Sequence, residues 1–157
     1  MLKGLTDIFD KAFGVEARAE KEARARERGV QLATALLLIE VAQADYYEDM
    51  SEENAVFDLL KSFFHLDDHE LYLLMQEARS EADHSASLQE FTRRLHEELS
   101  LDEKLKVIEM LWQVALADRH LDKHEDHLVR KIAGLLYVSH SDLIRIRNDV
   151  RARMRVD

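Results

Sequence analysis

The sequence predicts an all-α protein: a bundle of seven or eight helices built from two related halves. Three observations carry the prediction. The 157 residues include no proline and four glycines, too few turn-formers for a sheet protein of this length. Apolar residues recur at helical spacing through long stretches. Start signals of the type Ser/Asp-x-x-Glu/Asp precede several of those stretches. An apolar fraction of 46% is that of a globular chain, and the length suffices for one domain with a real core.

Residues 1–29 are predicted as a helical extension and residues 30–157 as the domain. The first 13 residues place Leu2, Leu5, Ile8, Phe9 and Phe13 on one helical face. That stripe suits a helix folding back onto the domain or onto a second copy; a weak membrane-surface contact through residues 1–13 is the competing use. VEARAEKEARARERG follows, with alternating charge and no apolar bulk. It predicts a solvated helix held by Glu/Arg pairs, or a linker. Gly29 is expected to mark a break.

From Val30 the apolar residues Leu32, Leu36, Leu37, Leu38, Ile39 and Val41 cover most of a helix circumference. This helix is predicted to be buried on nearly all sides and to end near Tyr46. Helices are then expected near 51–65, 68–82, 88–99, 101–118, 123–136 and 140–153. Their starts are read from Asp67 with Glu70, Ser87 with Glu90, Ser100 with Glu103, and Ser139 with Asp142. Leu105, Ile108, Leu111, Trp112 and Ala115 form the inner face of a second strongly apolar helix.

The two apolar helices are each followed by an acidic turn, and the turns repeat. At an offset of 73, Asp45, Asp49, Glu52 and Glu53 lie over Asp118, Asp122, Glu125 and Asp126. After a one-residue slip, Leu66 to Leu71 lies over Val138 to Leu143. Each half reads as buried helix, acidic turn, amphipathic helix, short turn, helix, as expected from duplication of a helical hairpin.

The carboxylates are the candidate site. Asp49 with Glu52, and Asp122 with Glu125, have capping-box spacing, which explains them as helix starts. Asp45 and Asp118 resist that reading, because each is expected in the last turn of a buried helix, where the dipole disfavours an anion. Free carbonyls at such a helix end, together with carboxylates, are the oxygen ligands preferred by Ca²⁺ or Mg²⁺. Asp45, Asp49, Glu52, Asp118, Asp122 and Glu125 are therefore the predicted ligands of Ca²⁺ or another divalent cation. The spacing is not that of an EF-hand.

At these residues the sequence resembles the TerB-like family, the domain of tellurite-resistance proteins, also similar to the N-terminal region of the DjlA-type membrane co-chaperone. The family pattern, roughly A-D-G-x-[IL]-[DS]-x-x-E, is matched by A-D-R-H-L-D-K-H-E from Ala117 and by A-D-Y-Y-E-D-M-S-E from Ala44. The resemblance spans about residues 28–153. It implies an all-helical domain of two similar halves, acidic residues as divalent-cation ligands, and a stress-response scaffold without established chemistry. Tyr46 and Arg119 stand where the pattern has glycine, and Glu48 stands where the second copy has Leu121.

Other signals bound the function. The chain has no cysteine, which removes disulfides, thiolate zinc sites and thiol nucleophiles. No apolar run reaches the length of a membrane span, and no signal peptide is read at the start. A cytoplasmic location is the expectation. The net charge is −10, with about +1 in residues 1–29 and +2 in residues 142–157. An acidic middle disfavours nucleic acid and suits a cation or a basic protein partner; a homodimer is a further expectation. His120, His124 and His127 fall at i, i+4 and i+7, so a metal-dependent hydrolase using them with the acidic turns is the catalytic alternative. No nucleophile elbow, phosphate loop or dinucleotide motif is present. A non-catalytic module that binds a cation or a basic partner is the leading expectation, and a purely structural interaction domain is the third.

Overall fold

A computed structural model describes residues 2–44, 50–82 and 88–155 of the chain. Among these the secondary structure is helical throughout: α1 (Leu2–Ala42), α2 (Met50–Phe63), α3 (Asp68–Ala82), α4 (Leu88–Glu98), α5 (Leu101–Ala115), α6 (Lys123–Leu135) and α7 (His140–Met154). The helices follow the predicted ones closely, with two corrections that bear on function.

The first concerns Gly29. No break occurs there. α1 runs through it as one helix of 41 residues, about 60 Å at 1.5 Å per residue. Residues 17–28 are exposed, with Arg28 reaching Glu77 of α3 at 2.7 Å, and burial begins only from residue 29. A lone glycine weakens a helix interior by roughly 1 kcal/mol, which the good helix formers on both sides outweigh. Gly29 instead permits close approach: a Cβ built there would meet the Arg94 side chain of α4 at 2.2 Å.

The second concerns helix ends. α1 stops at Ala42 rather than near Tyr46, and α5 at Ala115 rather than 118. Apolar periodicity continues past both ends and conceals them, and no glycine or proline marks either stop.

The core forms where the two apolar helices meet. Leu36, Leu37 and Leu38 of α1 are buried, as are Ile108, Leu111, Trp112 and Ala115 of α5. Leu105 is partly buried against this core. Each CH₂ group so removed from water contributes about 0.8 kcal/mol. Trp112 is fully buried and donates its indole N–H to the Leu143 carbonyl at 3.2 Å, joining α5 to α7.

The packing repeats as the sequence does. α1 packs against α2 and α3; α5 packs against α6 and α7. Each half's second helix also touches the other half's first: α2 meets α5, and α6 meets α1. Only α4 has no counterpart among the described residues. It lies along α1 and reaches α6.

Local signals repeat too. α2 and α6 both end with a residue in the left-handed region, His65 at φ 55° and Tyr137 at φ 59°. Behind them, Leu66 N–H donates to the Lys61 carbonyl and Val138 N–H to the Ala133 carbonyl, both at 2.9 Å. These are Schellman closures, in which the buried apolar residue after the turn seals the helix end. The next helices start as predicted. Asp67 and Glu70 exchange backbone–side-chain bonds, and the Glu70 N–H chiefly holds the Asp67 carboxyl below its usual range. Ser100 and Glu103 form a full capping box, and Ser139 accepts from Asp142 N–H. Ser87 lies outside the described residues.

Beside α4, the largely buried Lys104 of α5 brings Nζ within 2.6 Å of His96 Nδ1, and the His96 ring packs at a 44° tilt against Tyr137, with centroids 4.6 Å apart. These contacts fasten the end of α4 to α5 and to the α6–α7 corner. Among the described residues no helix is long and apolar enough to cross a membrane.

Candidate functional site

The second acidic turn, residues 116–122, can be followed atom by atom. Past Ala115 the chain makes two short closures: Ala117 N–H donates to the Val114 carbonyl at 3.2 Å, and Arg119 N–H to the Leu116 carbonyl at 2.9 Å. Arg119 then takes φ 64°, the conformation that glycine would supply without steric cost. Asp118 therefore lies beyond α5, not in its last turn, and the unfavourable dipole position expected for it does not arise. Its Oδ1 instead accepts the His120 backbone N–H at 2.9 Å, closing an Asx turn. Leu121 packs against the core and anchors the loop.

Asp122 is the N-cap of α6. Its side chain accepts from His124 N–H at 3.0 Å, not from the Glu125 amide that a capping box would use. The capping-box reading of Asp122 with Glu125 is thus half right: the aspartate caps, while Glu125 goes inward and is 0% exposed. Asp126, half-buried beside it, accepts from Arg130 Nε at 3.0 Å.

In the first half, α1 closes through Gln43 N–H to the Ile39 carbonyl and Ala44 N–H to the Val41 carbonyl. Asp45 and Asp49, with Tyr46 and Glu48, lie outside the described residues. Glu52, in the first turn of α2, is 1% exposed. Glu53 pairs with Arg79 of α3 at 2.9 Å.

The predicted ligands therefore divide by environment. Glu52 and Glu125, equivalent under the repeat, are the two acids buried in the described structure. Asp118 and Asp122 are half-buried in the turn and bond backbone amides. The repeat and the family pattern single out Glu52 and Glu125 in the sequence, but their capping spacing pointed to a surface role. Their burial depends on which face of α2 and α6 meets the core, and spacing alone does not give that. Among the described residues no three His, Asp or Glu side chains gather in a metal-holding group. His120, His124 and His127 are all exposed, with His120 in the turn and the other two on α6.

No curated protein and no solved structure matches the chain. The family model described as tellurite resistance protein TerB matches residues 31–148, which takes in both acidic segments, α2 to α6, the buried end of α1 and the first half of α7.

Proposed function

The chain belongs to the TerB family of tellurite resistance proteins, and from that premise we propose that it is a non-catalytic helical module of stress response whose acidic turns bind a divalent cation or a basic partner surface. One observation carries the proposal. Glu52 and Glu125 are buried at equivalent positions of the two halves, each in the first turn of a helix that an acidic stretch precedes in the sequence. A carboxyl inside a fold is costly unless it is paired or hydrogen-bonded. Its recurrence beside Asp118 and Asp122, and in sequence beside Asp45 and Asp49, is the pattern expected of a place that receives positive charge. Oxygen-only donors favour Ca²⁺ or Mg²⁺ among cations.

A second reading has its own support. Asp118 and Asp122 each bond a backbone amide, as carboxylates do when they serve only to close a turn and cap a helix.

Thermal unfolding separates the two. The EDTA-stripped protein is to be melted with Ca²⁺, Mg²⁺, Mn²⁺ and Zn²⁺, beside an Asp45→Asn/Asp118→Asn double mutant. Under the cation reading, one ion at 100 times its dissociation constant adds roughly 2.7 kcal/mol to the wild type and much less to the mutant. No shift with any ion removes the cation and leaves the basic surface, read by salt-sensitive binding of a Lys/Arg-rich peptide. If that binding is also absent, the capping reading stands.

A further inference from the structure

The symmetry of the bundle is incomplete: α4 has no counterpart in the second half among the described residues. In the first half, α4 lies along α1 at Gly29, Leu32 and Ala33, with Glu81 of α3 at the rim. The equivalent residues of the second half are Asp102, Leu105 and Lys106 of α5 and Arg153 of α7. These same residues line an open groove between α5 and α7, floored by Leu105 and Ile146. Among the described residues no helix fills it.

The chain carries a second copy of the pattern that fills this position in the first half. α4 reads Leu88-x-x-Phe91-Thr92-x-x-Leu95, followed by Leu99. That face is the packed one: Thr92 and Leu95 are buried, and Phe91 and Leu99 lie against the core. The start of α1 reads Leu2-x-x-Leu5-Thr6-x-x-Phe9, followed by Phe13, the same spacing with a threonine at the same place. These residues sit at the far end of a continuous helix. Residues 17–25, exposed and part of one continuous helix, separate them from the domain by about 14 Å, so the arm does not fold back onto its own groove.

We propose that residues 2–13 of one copy dock as an α4-like helix in the α5–α7 groove of a second copy, giving a reciprocal dimer. Charge fits this occupant. Lys106, Arg145 and Arg153 at the rim are balanced by Asp102, Glu109 and Asp149, and Lys3 and Lys11 on the arm by Asp7 and Asp10. A balanced arm gains little at an anionic lipid surface, whereas amphipathic helices seat readily in apolar grooves. The interface is separate from the acidic turns and stands whether or not they bind a cation.

The test is sedimentation equilibrium of the full chain, with Phe9→Asp altering the arm and Ala152→Arg the groove. Ala152 is exposed, so the second change leaves the fold intact, as circular dichroism will verify for both. The wild type is expected to dimerise. Each variant alone should dimerise at least about tenfold more weakly, as for loss of an interface anchor. An equimolar mixture should recover part of the association, because one intact arm then meets one intact groove. A wild type monomeric at every concentration overturns the proposal. So does a dimer sensitive to Phe9→Asp but not to Ala152→Arg, which would pair arm with arm. A monomer that pellets with phosphatidylcholine/phosphatidylglycerol vesicles through Phe9 would assign the arm to lipid instead.

Discussion

Arg119 shows how one side chain can sit against local preference. The turn after α5 requires a left-handed residue, and the chain has arginine at φ 64°. An L-residue there is disfavoured by roughly 1–2 kcal/mol, of which glycine's extra freedom in the unfolded chain returns about half. Arg119→Gly is expected to stabilise the protein by about 0.5–1 kcal/mol in urea unfolding. No change or a loss would mean that the guanidinium makes a compensating contact with the turn. The need for a left-handed residue could be inferred from the family pattern. That the chain meets it with arginine, and continues into an Asx turn at Asp118, required the backbone.

At the scale of elements, capping bonds mark where α3, α5, α6 and α7 begin, and sequence spacing found those starts within a residue or two. The box at Ser100 is complete, with Ser100 accepting from Glu103 N–H at 3.2 Å and Glu103 accepting from Ser100 N–H at 3.0 Å. Ser100→Ala should lower stability by about 1 kcal/mol, and Ser100→Asp should restore most of it; an alanine variant as stable as wild type would show that tertiary packing alone positions α5. Helix ends were less legible. α1 and α5 lack terminal glycine, and the apolar rhythm of LWQVALA runs past Ala115, so periodicity overshot by three residues. The overshoot mattered chemically, because it had placed Asp118 inside a helix dipole that it does not occupy.

For the whole molecule, the two halves are joined through the buried faces of α1 and α5 and braced by the helices each lends to the other. Trp112 is central to that bracing, filling the interior of α5 while bonding the Leu143 carbonyl of α7. Trp112→Phe removes both volume and a donor, and should cost about 1–3 kcal/mol, with the near-ultraviolet dichroism of the core lost. A smaller effect would mean that α7 is held mainly by its surface pairs, such as Arg153 with Glu109 at 2.7 Å. Burial pushes the Glu109 carboxyl up, but the charges of Arg153 and Lys106 together hold it below its usual range, so this α5–α7 tie weakens only as acid protonates Glu109.

The sequence by itself determined the helical class, six of the seven helices to within a few residues, the duplication, and family membership. These are properties of local spacing: period, caps, and motif repeated at a fixed offset. Three things were decided only by the tertiary structure. α1 continues through Gly29, because flanking helix formers outweigh one glycine. Glu52 and Glu125 are buried while their neighbours Glu53 and Asp126 stay partly exposed and pair with arginines, because the core-facing side of α2 and α6 is set by what packs on it. The groove between α5 and α7 is open, because the helix that covers the equivalent stretch of α1 occurs once in the described chain. Spacing along a chain records which residues share a face; only packing against other elements determines what that face meets.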